Sequence, residues 1–484
     1  MNPKSFWAPW LIGVLFLAAI LPTLNATRLV EVDELIYARV AQEATRDGHW
    51  MPLSWAGKPW LEKPPLLIWA AAATAKLSGA GLEAWPYRLW CCLGAALCVV
   101  ALLRLALIAG LGPWAAALAG LLFALQGDVL FHARFFSMDL ALLACVLWAL
   151  VACASGAWRR AGICMALGVG IKSWFVLGFF PGFAFALWRN EESPKRERAL
   201  AWVLGVPLAA LVGVTLLYRL AYGESFFHME FIGNLYGRFQ GLVNERIEDN
   251  LSYYGKWALR TAAALIPLAL AAPAAVLLRS WPKGAPRLVA EFSSALALSW
   301  ILALCLIKAQ VINYLLPLEA AVCLCWALAL GGEESAPAAW TMALLAALSL
   351  ASARRLLSVE ASLLLSAGAA LAFFALRRVE AASSAAARAL GLAFTACLLV
   401  LLSSSAYEYL RHPDDPSREV AEVMLAHPAR SPGESLFLLG QNTQAIAFYS
   451  RYNVIPLAAA PLRRPQEAVL AHTTNGWVFY PPLK

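Results

Sequence analysis

The sequence predicts a polytopic α-helical membrane protein of about thirteen membrane-spanning helices, followed by a small C-terminal α/β domain outside the membrane. Composition predicts the membrane class, since 61% of the 484 residues are apolar and only 14% are charged, whereas about 25% of residues are charged in soluble domains. In addition, apolar runs long enough to cross about 30 Å of hydrocarbon recur along the chain as far as residue 404. Ordinary soluble enzymes and disordered chains are excluded, because neither class carries so much apolar sequence.

The predicted spans follow one another with short loops and together form a membrane domain over residues 1–404. The first run, from Phe6 to Leu24, is longer than the apolar part of a usual signal peptide and lacks a clear A-x-A cleavage site, so we interpret it as a membrane helix. The further predicted spans are 86–109, 113–131, 140–156, 161–175, 174–188, 199–220, 257–278, 292–307, 314–331, 338–353, 356–376 and 387–404.

Basic clusters occupy the loops on one side of these spans, as the positive-inside rule expects of cytoplasmic loops. Topology therefore explains the net charge of +8, and no nucleic-acid partner is predicted. The N-terminus is then inside and an odd number of spans places the C-terminal segment outside, with Arg354-Arg355 as the one basic pair on the outer side. The cytoplasmic clusters are Arg159-Arg160, Lys195 to Arg198, Lys283 with Arg287, and Arg377-Arg378.

Three polar stretches lie on the predicted outer side, namely the loops 25–65 and 221–256 and the tail 405–484. Apolar and polar residues alternate in the tail at 435–439, and an aromatic run follows at 477–480. Alternation of this kind is typical of half-buried strands. The tail is therefore predicted to fold as the small α/β domain.

Ionisable side chains gather at the outer ends of the predicted spans. Because a charge costs a few kcal/mol at the middle of a bilayer, charges kept near spans are functional candidates. In the first outer loop, Asp33 and Tyr37 share one face of a predicted surface helix at i,i+4 spacing, with Ile36 and Val40 on another. The Asp33 carboxylate at the start of this helix fits both a helix cap and a catalytic group.

Five segments of the chain resemble motifs of the bacterial aminoarabinose-transferase-like and protein-mannosyltransferase-like enzymes, which are GT-C glycosyltransferases. They occur in the family's order, and the resemblance extends over most of residues 1–330. The segments are VDELIYA at 32–38, GKPWLEKPPL at 57–66, ARFFSMD at 133–139, GVGIK at 168–172 and KAQVINYLLP at 308–317.

The resemblance implies a transferase in the bacterial inner membrane that moves one sugar from a polyprenyl-phosphate carrier to an acceptor on the periplasmic side. Displacement at an anomeric carbon needs a base for the acceptor and cations for the leaving phosphate. Asp33 is the predicted base, and Asp139 is predicted to orient the acceptor or to stabilise positive charge on the sugar ring. The predicted substrate-binding residues are Glu34, Tyr37, Lys63, Arg134, Lys172, Lys308 and Tyr314, of which the lysines and Arg134 form a phosphate clamp and Tyr314 donates a hydrogen bond.

A divalent metal ion is the one cofactor that the resemblance suggests. In the aminoarabinose transferases the glutamate of the E-K-P-P motif and a histidine can hold a metal, so Glu62 and His228 form the candidate ligand pair. The chain departs from the family at two positions. Ile36 stands where the family usually has arginine, with Arg39 nearby on the same helix, and His228 lies two positions before Glu230 rather than one after it.

The acceptor is left open by the sequence, and alternatives to transfer also remain. Lipid A or another envelope glycan or lipid is the leading acceptor, and Ser/Thr side chains of proteins are the second. A transporter or flippase of lipid-linked sugars, a non-catalytic scaffold and an inactive homologue are the alternative classes. Transport is disfavoured because transporter sites usually lie near mid-membrane between repeated halves, whereas here the charges crowd one face.

Overall fold

The computed structural model describes the membrane domain in two long stretches and part of the tail. The predicted spans at 338–404, the first part of the predicted span at 257–278, most of the second outer loop and most of the tail lie outside the described residues. The described residues are 3–223 except 30–32, 49 and 56, then 236, 253–254, 268–330 except 308–310, 423–424, 426–427, and four strands between 435 and 480.

The described part of the membrane domain is helical apart from one short hairpin. Three 3₁₀ segments, Leu21–Thr23, Ser173–Phe179 and Ile312–Leu315, and a π-helical turn, Ala201–Gly205, interrupt the α-helices. The α-helices are α1 Pro3–Ile20, α2 Asp33–Arg46, α3 Leu66–Ser78, α4 Trp85–Ile108, α5 Pro113–Ala124, α6 Gly127–Ala133, α7 Asp139–Ala154, α8 Trp158–Lys172, α9 Phe180–Asn190, α10 Lys195–Leu200, α11 Val206–Tyr222, α12 Leu268–Leu278, α13 Ala285–Leu306 and α14 Leu316–Leu330.

Within the described residues, four helical segments are long and apolar enough to cross a membrane: Trp85–Ile108, Trp158–Asn190, Lys195–Leu220 and Ala285–Leu306. A fifth is formed if α5 and α6, which are bent by 64° at their junction, count as one span. The protein is therefore an integral membrane protein, as predicted. The count of about thirteen spans stays a prediction.

Two details of the predicted spans differ from the structure. The run predicted as a single span at 113–131 is the bent pair α5–α6. The helix breaks at Gln126, whose backbone is extended. The side-chain amide of Gln126 donates a hydrogen bond to the backbone carbonyl of Leu122 at 2.6 Å. Helix α3, directly after the first outer loop, was not predicted, because its thirteen residues are too few for a span.

Helix α4 lies at the centre of the bundle and packs against α1, α3, α5 and α7. On one side the bundle continues from α7 to α8 and α11. On the other, α14 packs against α5 and joins a group of α9, α12 and α13. Small residues permit the closest approach: a Cβ atom at Gly94 of α4 would lie 2.9 Å from the backbone nitrogen of Ala141 in α7.

We expect Gly94→Ala to destabilise the protein strongly, because the new methyl group meets backbone atoms of α7 that cannot move without separating the two helices. The expected loss is about 1–3 kcal/mol, read as a lower midpoint of thermal unfolding in detergent. Gly213→Ala in α11 is the matched control. Its Cβ meets nothing within 4 Å, and alanine is favoured over glycine in a helix by about 1 kcal/mol. Equal midpoints for the two variants would contradict this close packing.

Four strands are described in the tail: β3 Ser435–Leu439, β4 Asn453–Pro456, β5 Ala468–Thr473 and β6 Gly476–Tyr480. They form one sheet in the order β4-β3-β5-β6, with β3 parallel to β4 and β5 and with β6 antiparallel to β5. Parallel neighbours need crossover connections, and mixed sheets are common in α/β domains. Strands β3 and β6 occur at the two strand patterns named in the sequence, whereas β4 and β5 were not predicted. The complete α/β domain stays a prediction.

Candidate active site

A cavity of about 370 Å³ lies where several of the predicted outer motifs converge. The start of α2 contributes Asp33 and Tyr37, and the segment after the first hairpin contributes Glu62 and Lys63. Asp139 lies at the start of α7 and Lys172 at the end of α8, while Asn313 and Tyr314 come from the 3₁₀ turn before α14. Motifs that are far apart in the sequence therefore share one cavity.

Asp139 is held on both carboxylate oxygens. Lys172 Nζ lies 2.5 Å from Oδ1, and Asn313 Nδ2 donates a hydrogen bond to Oδ2 at 2.5 Å. The aspartate is only 7% exposed, so its charge depends on these two partners. Asp139 is therefore a fixed anion with a neutralising cation beside it. Asn313 was not predicted as a site residue; its one sequence signal is its place directly before Tyr314.

Lys172 reaches the cavity because a helix breaks immediately after it. Ser173 has a φ of 47°, a left-handed conformation that is rare for residues other than glycine, and the chain continues as the 3₁₀ segment Ser173–Phe179. The stretch Trp158–Asn190, predicted as two spans at 161–175 and 174–188, is thus interrupted at the cavity wall. The ammonium of Lys172 lies 4.4 Å from the ring centroid of Phe175, at a distance typical of a cation–π contact.

Asp33 is the free carboxylate of the cavity. It is the first residue of α2, it is exposed, and no hydrogen bond or ion pair from any described residue reaches its side chain. A carboxylate at a helix N-terminus is favoured by the unpaired N–H groups there. Asp33 and Asp139 thus differ in what they can do: Asp33 can accept a proton, whereas both oxygens of Asp139 are already engaged.

Glu34, the neighbour of Asp33, points away from the cavity and is fully buried. Its two oxygens accept hydrogen bonds from Nε and Nη2 of Arg88 at 2.8 Å each, and Oε1 also accepts the backbone N–H of Phe136 at 2.8 Å. The prediction that Glu34 binds substrate is thus not supported by its position. The ion pair instead joins the start of α2 to α4 and to the loop that leads into Asp139.

The hairpin before Glu62 is fixed to α2 by a second buried acid. Strands β1 Ser54–Trp55 and β2 Lys58–Pro59 are antiparallel, and the hydroxyl of Ser54 donates to Glu43 Oε2 at 2.8 Å. Glu43 also pairs with Arg39 at 2.9 Å. Burial lowers the pKa of Arg39, and the nearby carboxylate of Glu43 opposes this shift. Arg39 does not line the cavity, so it does not replace the arginine that is missing at Ile36.

The remaining predicted site residues divide into three groups. Tyr37, Glu62, Lys63 and Tyr314 line the cavity, and the ring of Tyr37 packs edge-on against Trp60 with centroids 5.8 Å apart. Arg134 is buried and does not line it. Two predicted residues lie outside the described part of the chain, namely Lys308 and His228.

An apolar wall forms the other side of the cavity. Trp300, Ala303 and Leu304 of α13 face Trp174 and Phe175 of the 3₁₀ segment after α8. The indole N–H of Trp300 donates to the carbonyl of Tyr314 at 2.7 Å, which fixes α13 against the polar end. Sequence reasoning missed this wall, because aromatic and aliphatic residues in a membrane helix carry no signal that distinguishes a ligand surface from ordinary packing.

Only one of the two predicted metal ligands is among the described residues. Glu62 lines the cavity, whereas its partner His228 is not among the described residues. Within the described residues no three His, Cys, Asp or Glu side chains lie close enough together to hold a metal ion. The metal pair stays a prediction.

Comparison with known proteins gives matches at the level of structure. No protein-family model and no curated protein sequence matches the chain. ArnT from Cupriavidus metallidurans, solved with bound undecaprenyl phosphate, superposes with a TM-score of 0.61 and 19% identity over 95% of this chain and 87% of that chain.

Two further solved structures superpose on a smaller share of their own length. The apo oligosaccharyltransferase from Archaeoglobus fulgidus gives a TM-score of 0.53 and 15% identity over 94% of this chain and 64% of that one. Arabinosyltransferase EmbB from Mycobacterium smegmatis gives a TM-score of 0.51 and 17% identity over 85% of this chain and 42% of that one. These proteins are GT-C glycosyltransferases. The fold predicted from the sequence motifs is therefore confirmed: the chain has the GT-C glycosyltransferase fold.

Proposed function

We propose that the protein is an inverting glycosyltransferase that moves one sugar from a polyprenyl-phosphate carrier to an acceptor hydroxyl at the outer face of the membrane. The observation that carries this proposal is the composition of one cavity. The free carboxylate of Asp33 lies there with the Asp139–Lys172 pair, beside a wall of apolar side chains. A donor with a lipid tail, an anionic phosphate and a sugar needs all three kinds of surface.

The carrier lipid fits the apolar wall. The surface of Trp300, Ala303 and Leu304 suits an isoprenoid chain, which offers no hydrogen bonds. Lys63 lines the polar part of the same cavity and is the described cation that we assign to the donor phosphate. The undecaprenyl phosphate bound to ArnT, a protein of the same fold, supports a carrier of this class.

The proposed reaction is a single displacement. Asp33 accepts the proton of the acceptor hydroxyl, and the acceptor oxygen attacks the anomeric carbon from the face opposite the phosphate. As that bond forms, the bond between the anomeric carbon and the phosphate oxygen breaks, and polyprenyl phosphate leaves with the electron pair. Lys63 stabilises the growing charge of the phosphate, and Tyr314 donates a hydrogen bond to it. Asp139, held by Lys172 and Asn313, stabilises the oxocarbenium character of the ring.

The acceptor that we propose is lipid A or another glycan or lipid of the envelope. Its support is the resemblance of the cavity-lining segments, among them residues 32–38 and 57–66, to those of the aminoarabinose-transferase-like enzymes. We assign the protein to the bacterial inner membrane with the cavity and the tail on the periplasmic side, as the distribution of basic loops predicts. Protein Ser/Thr acceptors are the second candidate.

The function is tested by mass spectrometry of cells that lack the protein. Polyprenyl-phosphate sugars, envelope lipids and glycoproteins are extracted from the null strain and from strains complemented with wild type or with Asp47→Asn. Asp47→Asn makes the same carboxylate-to-amide change on an exposed residue outside the cavity. We expect the null strain to accumulate one lipid-linked sugar and both complemented strains to place that sugar on an acceptor. An identical set of donors and acceptors in all strains would refute transfer, and a sugar mass on glycoproteins alone would select the second acceptor.

The assignment of the apolar wall gives a separate prediction. We expect Ala303→Asn to raise the KM for the lipid-linked donor about 5- to 150-fold, because burying an unpaired amide against the lipid tail costs about 1–3 kcal/mol. Ala303→Leu is the control, since leucine matches asparagine in size and is apolar. The kcat of both variants should change little, as expected when only ground-state binding is altered. Equal KM values for the two variants would show that the tail does not contact this position.

A further inference from the structure

A second concavity, of about 770 Å³, lies at the end of α8 opposite the candidate active site. Helix α8 runs from Trp158 to Lys172, so its ends are about 22 Å apart at 1.5 Å per residue. The two sites therefore lie toward opposite faces of the membrane. The second concavity is lined by Gly156, Ala157, Trp158, Arg159, Arg160, Arg198 and Trp202.

Three exposed arginines converge on this concavity from two segments. Arg159 and Arg160 belong to the first turn of α8, and Arg198 belongs to α10. Among the described residues, no carboxylate forms an ion pair or a hydrogen bond with any of the three. The charges are permanent, because arginine does not deprotonate in proteins. Three unneutralised charges around one hollow create a strongly positive local potential that attracts an anion.

Close backbone contact joins the two segments that form the concavity, and an aromatic ring orients one of its arginines. A Cβ atom at Gly162 would lie 2.4 Å from the backbone oxygen of Trp202, so only glycine lets α8 approach the π-helical turn this closely. The guanidinium of Arg159 lies 5.3 Å above the ring of Trp202, a cation–π contact that orients the arginine. Trp158 and Trp202 are residues that favour the boundary between lipid and water.

We infer that this concavity binds the phosphodiester headgroup of an anionic phospholipid in the leaflet opposite the candidate active site. Arginine binds phosphate oxygens through two parallel hydrogen bonds, and basic pockets between membrane helices on the cytoplasmic side select anionic headgroups. The two tryptophans contact the glycerol and upper acyl region of such a lipid. The site is independent of sugar transfer.

The test uses the purified full-length protein in detergent, titrated with short-chain phosphatidylglycerol and followed by native mass spectrometry. The variant Arg159→Gln/Arg160→Gln/Arg198→Gln removes the three charges. The control Lys195→Gln/Arg196→Gln/Lys283→Gln removes three charges from the same predicted side of the membrane, and none of its residues lines the concavity. We expect wild type and control to bind equally and the test variant to bind about a hundredfold more weakly, at about fivefold per arginine.

Two further compounds, tested in the same titration, identify the ligand. Short-chain phosphatidylcholine carries the same phosphodiester without net charge, and we expect it to bind far more weakly than phosphatidylglycerol. Inorganic phosphate should fail to displace the bound lipid. Equal binding by the test and control variants, equal binding of the two lipids, or displacement by inorganic phosphate would each overturn the inference. The three arginines are exposed, so the test variant should unfold at the same temperature as wild type; a lower midpoint would assign them a structural role instead.

Discussion

Purified protein carrying Asp33→Asn is expected to transfer sugar with a kcat reduced about 10²- to 10⁴-fold, the usual contribution of a general base. Asparagine has nearly the shape of aspartate but cannot accept a proton from the acceptor hydroxyl. No described residue pairs with the Asp33 side chain, so the substitution leaves no partner unsatisfied and the fold should be unchanged. The measurement is the initial rate of sugar transfer from the lipid-linked donor, with the unfolding midpoint measured in parallel.

The KM for the donor distinguishes a base from a residue that only binds. We expect it to change less than threefold in Asp33→Asn, since a loss confined to kcat marks an interaction made only in the transition state. Asp47→Asn should match wild type in both constants. A raised KM with an unchanged kcat would reassign Asp33 to substrate binding, and full activity would remove it from the proposed mechanism.

Arg88→Met is expected to destabilise the protein by about 3–5 kcal/mol, the usual effect of removing one partner of a buried ion pair. Arg88 is 1% exposed, and its guanidinium donates to Glu34 and to the carbonyls of Leu24, Thr27 and Arg28. Methionine fills part of the volume but leaves the Glu34 carboxylate and these carbonyls without their donors. The measurement is the thermal unfolding midpoint in detergent.

A double variant separates the charge from the loss of packing. Arg88→Met combined with Glu34→Gln removes the uncompensated carboxylate, so it should be more stable than Arg88→Met alone. The control is Arg46→Met, which breaks an ion pair with Asp47 whose side chains are 40% and 34% exposed; exposed pairs contribute about 0–1 kcal/mol. If Arg88→Met and Arg46→Met were equally stable, the buried pair would not hold the start of α2.

The same ion pair explains why adjacent acids in one motif have different roles. Consecutive residues near the start of a helix point in directions about 100° apart, so Asp33 and Glu34 cannot both face the cavity. The side chains packed around each acid decide which of the two faces the cavity. Glu34 lies beside a guanidinium that comes from 54 positions away in the sequence, and that distance gives no sign of the contact.

The class of protein and the order of the site segments were predictable, because they depend on local properties. The bilayer has a fixed thickness, so the length and apolarity of each run predict a span without reference to the rest of the chain. The cost of burying charge predicts that ionisable residues at span ends are functional candidates. Asp33, Asp139, Lys63 and Lys172 line one cavity, and their roles there stay predictions.

Only the tertiary structure decided which partners these residues have. Asn313 binds Asp139 across 174 positions of sequence, and the aromatic wall comes from helices that look like ordinary spans. A span boundary near Ser173 was predicted from the sequence, but the left-handed φ of Ser173 and the 3₁₀ segment after it, which bring Lys172 to the cavity, have no signal in the sequence. The physical reason is that hydropathy reports the free energy of transferring one residue from water to an apolar phase. Hydrogen bonds and ion pairs depend instead on the distances between atoms of different helices. The packing of the helices determines those distances.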